Sequence, residues 1–327
     1  LVTRALDGNR RALARLLTLV ENGAPEGRAA LAELFPRAGN AHIIGFTGAT
    51  GAGKSTLVNR VALAVRRQGL ELVIVAVDPT SPFSGGALLG DRLRMRDLLD
   101  DTGVFIRSMA SRGHPGGIAH ATRDVVTLFD ALGVPVILVE TVGAGQVQVE
   151  VAQIAHTVVL VEAPGMGDEV QALKAGLMEI ADVIVVNKAD RPEAKQTVSA
   201  LRNALRQQGG AGHHGADVAG GAKEGRDVWV TPILETSALD GEGVGDLVGA
   251  IEGHRAHLQA TDRWQMRQSR HARAELEAWL QRELRALFRD TVDDDSYNRV
   301  AESVIRRQQD PASAARDLLA LMLTNLK

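Results

Sequence analysis

Apolar positions along this chain fall into three regimes. Over residues 1–34 they recur at helical spacing: Leu13, Leu16, Leu17 and Val20, then Leu31 and Leu34 after a Gly/Pro break at residues 23–27. Residues 36–40 punctuate the end of that block. From residue 41, short apolar runs alternate with helical patterns. Strands are expected at 42–46 (HIIGF), 71–78 (ELVIVAVD), 134–140 (VPVILVE), 157–162 (TVVLVE), 182–187 (DVIVVN) and, last, 228–234. The runs are nearly continuous rather than alternating, so both faces of each strand should be buried. That predicts a parallel sheet with helices on both sides. Past residue 253 long charged helices take over. Residues 273–288 carry Leu276, Trp279, Leu280, Leu284, Leu287 and Phe288 on one stripe, and 301–326 reads as a final helical piece. The expected organisation is a helical extension (1–38), an α/β domain (39–252) and a helical arm (253–327). An arm with large apolar residues either packs back on the sheet or meets a partner. A second copy of the chain is the simplest partner, because two-fold dimers are the commonest oligomers.

The first apolar run leads into Gly48-Ala49-Thr50-Gly51-Ala52-Gly53-Lys54-Ser55-Thr56, which fits G-x-x-x-x-G-K-[ST] at every fixed position. A helix over 57–67 should follow. The strand–glycine loop–helix context gives the motif its force. Successive N–H groups can point at one anion, and the helix N-terminus adds partial positive charge. Lys54 can reach the outer phosphates, and the Ser55 hydroxyl can sit on Mg2+. The alternative is a Gly/Ala turn that binds nothing. The fold class expected is α/β: a P-loop NTPase with a mostly parallel central sheet flanked by helices, plus N-terminal and C-terminal helical extensions.

Ligands of such sheets sit beyond the carboxyl ends of the strands, where Asp78, Glu140 and Asn187 lie. Asn187-Lys188-Ala189-Asp190 is an N-K-x-D pattern. The Asp190 carboxylate can accept from guanine N1–H and from the exocyclic amine, two bonds that adenine cannot offer. Asn187 can support the loop and the base edge, and the Lys188 stem can lie over the ring. Ser237, Ala238 and Leu239, after the last strand, fit the companion loop whose N–H groups can bond guanine O6. Glu140 can hold the water shell of a magnesium ion, and Gly143 lets its N–H approach the terminal phosphate. Asp78 and Asp91 could reach the same shell or position the attacking water. Alternatively, Asp91 caps a helix over 92–99 and Asp78 begins a proline turn. Residues 107–117, with Arg112 and His114, read as a polar loop before a helix. Residues 209–225 read as a flexible glycine-rich loop whose His213 and His214 are solvated rather than metal-binding.

Composition narrows the field. The 327 residues carry a net charge of −3, so no global basic field draws the chain to nucleic acid or to an anionic membrane. No apolar run approaches a membrane span. No cysteine is present, which excludes disulfides and thiolate metal sites and fits a cytoplasmic location. A metal-delivering maturation GTPase should carry a Cys/His cluster, so it is the weaker alternative. A P-loop small-molecule kinase would not need N-K-x-D. A scaffold that binds nucleotide without turning it over is a further alternative.

The segments GATGAGKST, DPTSPFSGGALLGDRLRM, FIRSMASRG, ETVGAGQ and APGMGDEVQALKAGLMEIADVIVVNKAD resemble the MeaB/ArgK group of P-loop GTPases, whose human relative is the MMAA protein. The resemblance runs from about residue 6 to about residue 288. It implies a dimerising GTPase that chaperones adenosylcobalamin-dependent acyl-CoA mutases, above all methylmalonyl-CoA mutase, by gating cofactor loading and protecting or reactivating the enzyme. It also implies that Lys54, Ser55, Asp78, Asp91 and Glu140 line the phosphate and magnesium site, and that Asn187, Lys188 and Asp190 read the base of GTP or GDP. Residues 163–174 resemble a mobile loop that signals to the mutase, a role that Gly165 and Gly167 suit. The older transport-ATPase label of the group finds no support in a chain with no apolar span and an Asn187/Asp190 pair. The chain departs from the pattern after Gln146, where Val147 and Gln148 replace a small residue and an acid. With no glutamine or arginine finger evident, turnover should be slow without a partner.

Overall fold

The computed structural model describes residues 1–78, 95–110, 120–141, 150–165, 171–207 and 228–326. The chain divides into two compact units, Leu1–Arg267 and Gln268–Lys327.

The first unit opens with helices α1 (Val2–Leu6), α2 (Arg10–Glu21) and α3 (Pro25–Leu34). Asn9 starts α2 by accepting the Ala12 N–H at 3.0 Å, and Pro25 sits in the first turn of α3, where a missing N–H costs little. There follow β1 (His42–Gly48), α4 (Lys54–Arg67), β2 (Leu72–Asp78), β3 (Val104–Ala110), α5 (His120–Ala131), β4 (Val136–Thr141), β5 (Thr157–Glu162), α6 (Gln171–Ile180), β6 (Val183–Asn187), α7 (Ala194–Gln207), β7 (Ile233–Thr236) and α8 (Val244–Ala260). Among the described residues every pairing between strands is parallel, in one seven-stranded sheet ordered β3-β2-β4-β1-β5-β6-β7.

Strand periodicity sorts the core. Ile43, Val73, Val75, Ile137, Val139 and Val158 face one side, where Leu16, Leu17, Val20 and Leu34 of the leading helices join Val125 and Phe129 of α5. Their neighbours Ile44, Phe46, Ile74, Leu138 and Val159 face the other side, against Leu57, Val58 and Val61 of α4 and Leu247 and Ile251 of α8. Leu160, Ile184 and Val186 pack against α6 and α7. With both faces covered, the near-continuous apolar runs are explained.

Three expectations need correction. Residues 107–110 are not loop but the second half of β3. This is an edge strand, so it tolerates polar residues, and Arg107 is neutralised by a salt bridge to Glu21 of α2. Residues 111–117 lie outside the described residues. The last strand runs Ile233–Thr236 rather than 228–234, because Pro232 cannot donate to the ladder. Before it, the Trp229 indole N–H bonds the Asp182 carbonyl at 2.8 Å, and the Pro232 carbonyl accepts the Ile184 N–H at 2.9 Å. The piece expected at 301–326 is two helices, parted before Pro311.

The second unit holds the rest of α9 (Arg263–Thr291), then α10 (Asp294–Ile305) and α11 (Pro311–Asn325). Asp293 caps α10 through the Ser296 N–H at 2.8 Å, and Asp310 caps α11 through the Ala312 and Ser313 N–H groups. Pro311 takes the first turn of α11, so one helix cannot run through from α10. Val292, Leu318 and Met322 form the small core of this unit, flanked by Phe288, Val300 and Leu321. Among the described residues no helix is long and apolar enough to cross a membrane.

Candidate nucleotide site

The loop between β1 and α4 is held by close approach. Gly48 has φ 134°, and a Cβ there would lie 2.0 Å from the Val161 carbonyl oxygen on β5. Gly53 has φ 89°, and a Cβ there would meet the Asn187 side-chain amide at 2.4 Å. A side chain at Gly48 would have to move β5, and one at Gly53 would have to adopt a left-handed backbone and push the Asn187 amide aside. Gly53 leads α4 without a side-chain cap, and Ala49, Thr50, Gly51 and Ala52 arch over the helix start that follows. Helix N–H groups and dipole therefore face the loop's concavity, the arrangement that receives an anion. Thr56 sits in the first turn of α4.

Lys54 is buried and folded back on this loop, donating from Nζ to the Gly48 and Ala49 carbonyls at 2.8 Å each. Burial pushes its pKa down, and the carboxylates of Glu140 and Glu162 oppose that shift. Ser55 donates its hydroxyl to Glu140 Oε1 at 2.6 Å. Glu140 is only 1% exposed, near the end of β4, where its backbone lies opposite Phe46 of β1. A serine oxygen and a buried carboxylate beside a phosphate-type loop form a hard, all-oxygen donor pair. That chemistry fits Mg2+, which takes one or two carboxylates, keeps waters and completes its shell with phosphate. Among the described residues no group of three or more His, Cys, Asp or Glu could hold a metal, so a protein-built cage of the metal-delivery type is not seen there.

Asn187 staples three segments. Its amide donates to the Ala52 carbonyl at 2.9 Å, while its oxygen accepts from the Ala238 N–H at 3.1 Å and the Thr236 hydroxyl at 3.2 Å. Lys188 adopts φ 61° and sends Nζ to the Gly51 carbonyl at 2.7 Å, so its stem spans from β6 to the glycine loop. Asp190 is exposed, with the Ser237 hydroxyl 3.4 Å from Oδ1; that hydroxyl bonds Asp240 more closely, at 2.5 Å. Leu239 stands in solvent at the loop tip.

The sheet thus brings Gly48 to Thr56, Glu140, Asn187, Lys188, Asp190 and Ser237 to Leu239 to one edge. Asp78 closes β2 on that edge, paired in register with Ala110. Asp91, Gly143, Arg112, His114, Val147, Gln148, Gly167, His213 and His214 lie outside the described residues. Glu162 belongs to the site without a motif to mark it. It ends β5 buried, one residue past the partner of Gly48, and acts electrostatically on Lys54. The signal was the same as for Glu140: an apolar strand closing on an acid.

Residues 13–293 match the family model described as methylmalonyl-CoA mutase-associated GTPase MeaB. A putative GTPase of Pyrococcus abyssi is 42% identical over 98% of this chain and 95% of its own. GTPase ArgK of Escherichia coli is 33% identical over 99% and 96%. Among solved structures, an LAO/AO transport system kinase superposes with TM-score 0.70 at 26% identity, covering 98% of this chain and 96% of that one.

Proposed function

The chain belongs to the MeaB family of P-loop GTPases, and from that membership we propose a magnesium-dependent GTP-hydrolysing chaperone of an adenosylcobalamin-dependent acyl-CoA mutase, with methylmalonyl-CoA mutase the first candidate. It gates cofactor loading and protects or reactivates the mutase. It acts in the cytoplasm as a homodimer. The observation that carries the nucleotide part is the Asn187 staple, which holds the glycine loop and the 237–239 loop at a fixed separation while leaving Asp190 open.

In this reading the phosphates displace the Gly48 and Ala49 carbonyls from Lys54, whose ammonium then follows charge onto the outer phosphate oxygens. The N–H groups of Ala49 to Ser55 orient the phosphates. Ser55, Glu140, Asp78 and Asp91 hold the magnesium ion directly or through its waters. Held there, the ion would supply positive charge to offset the charge developing on the phosphate oxygens. Gly143 receives the terminal phosphate. Asp190 pairs with guanine N1–H and the amine, Lys188 lies over the ring, and the 237–239 loop meets O6. Residues 163–174 carry the state of the site to the mutase.

GTP hydrolysis with magnesium, measured alone and with a purified adenosylcobalamin-dependent acyl-CoA mutase from the same source, tests the proposal. A slow basal rate that rises on mutase addition is expected. A rate indifferent to every candidate mutase, in protein that binds GTP tightly, would remove the chaperone role and leave the GTPase.

A further inference from the structure

Arg60 lies six residues past Lys54 on α4, outside every motif of the site. Its guanidinium forks onto two successive carbonyls of the loop after β7. Nε donates to the Ala238 oxygen at 2.9 Å, and Nη2 donates to the Leu239 oxygen at 2.5 Å. We propose that Arg60 is a specificity-positioning residue: it clamps the 238–239 carbonyls so that the loop's amide N–H groups face the base site and select an acceptor at purine C6.

In a trans peptide the carbonyl and the following N–H point in opposite directions. Anchoring the Ala238 oxygen to Arg60 therefore turns the Leu239 N–H away from α4, and anchoring the Leu239 oxygen does the same for the Asp240 N–H. The loop is pinned from its other side, where the Ala238 N–H bonds the Asn187 oxygen at 3.1 Å. The Leu239 side chain is 74% exposed, so packing does little to hold the tip. A second brace closes the turn behind it, where the Gly241 N–H bonds the Ser237 carbonyl at 2.8 Å. The clamp joins α4, which begins at the phosphate loop, to the base-facing loop, so the two ends of the nucleotide are read at a fixed span. Two carbonyls need a planar fork. A lysine ammonium could hold one point but not set the plane of both peptides.

The inference rests on the proposed guanine reading, and the test separates the two. Affinities for GDP, IDP and ADP are measured for the wild type, Arg60→Ala, Arg60→Lys and Asp190→Asn, with thermal unfolding of each. GDP and IDP both carry O6; IDP lacks only the amine that pairs with Asp190. Arg60→Ala should weaken GDP and IDP by the same factor, about tenfold for one lost oriented bond, and leave the weak ADP affinity where it was. Arg60→Lys should recover only part of the loss. Asp190→Asn should weaken GDP more than IDP. Unchanged GDP affinity in folded Arg60→Ala protein, or equal losses for GDP and ADP, would overturn the clamp while sparing the guanine reading. Equal losses for GDP and IDP in Asp190→Asn would overturn that reading, and the Arg60 inference with it.

Discussion

At the residue scale the site is a set of polar groups that satisfy one another until nucleotide arrives. Lys54 shows this most clearly. Its ammonium is buried, its pKa is pushed down by that burial, and the Gly48 and Ala49 carbonyls together with nearby Glu140 and Glu162 make the charge tolerable. Lys54→Ala should abolish measurable hydrolysis and weaken GTP by well over tenfold, because phosphate charge would then lack the loop's buried ammonium. Normal turnover in that variant would remove Lys54 from catalysis. The motif residues were legible because backbone geometry dictates them: left-handed backbone and close approach call for glycine at Gly48 and Gly53, and N-K-x-D follows a strand. The sequence places Asn187 as a support for its loop and the base edge. Its bridge from Ala52 to Ala238 could not be read, since it joins residues 135 and 51 positions away. Arg60 was invisible for the same reason.

At the element scale, legibility tracks burial. Strands β1, β2, β4, β5 and β6 announce themselves as apolar runs because both faces are covered. Edge strand β3 was lost because Arg107 and Ser108 interrupt its run, and β7 was misplaced by Pro232. The amino ends of the strands hold something the pattern did not indicate, a buried polar network. Arg267 at the root of α9 forks onto Asp182 before β6, at 2.9 and 2.8 Å. His254 Nε2 lies 3.1 Å from the same carboxylate, its Nδ1 2.9 Å from the Thr157 hydroxyl, and that hydroxyl 2.8 Å from His42 Nε2. The Asp182 carboxylate faces His254 Nε2, and the Thr157 hydroxyl bridges the two imidazoles. Burial, then the neighbouring Arg255 and His254, lower the His42 pKa to about 3, against a weaker upward pull from Asp182. The unfolded chain takes up this proton near the ordinary 6.5 and the folded chain does not. Stability from the neutral ring is therefore complete above about pH 6.5 and lost as pH falls towards 3, at up to about 1.4 kcal/mol per pH unit. His42→Gln, which can still hydrogen-bond Thr157, should unfold with a shallower pH slope between 6 and 4 in urea titrations. Identical slopes for variant and wild type would show that His42 titrates no differently in the fold.

At the scale of the whole molecule the chain carries apolar surface that its own second unit does not bury. Leu276, Leu280, Leu284 and Leu287 recur every three or four residues along α9 and remain 70%, 57%, 49% and 37% exposed. Arg282 lies over the Trp279 ring, 4.9 Å from its centroid, and sheathes part of the neighbouring surface. The core of this unit is small, built on Val292, Leu318 and Met322, so its folding does not call on the leucine stripe. A stripe at this spacing is the geometry of helix-to-helix packing, and covering a fully exposed leucine is worth about 1.5–3 kcal/mol, these part-covered ones proportionately less. Burying four per protomer across a two-fold axis covers the same patch on both copies, which is why the homodimer is the assembly we propose for this arm. Sedimentation of the wild type, with and without GDP, should show a dimer, and Leu280→Glu with Leu284→Glu should shift it to monomer. The substitutions lie far along the sequence from the nucleotide loops, so GDP binding in the double variant reports whether the nucleotide-binding unit has stayed folded. A wild type that sediments as a monomer in every nucleotide state, or a double variant as dimeric as the wild type, would assign the stripe to another partner. The mutase would then be the first to test, by pull-down with the same double variant.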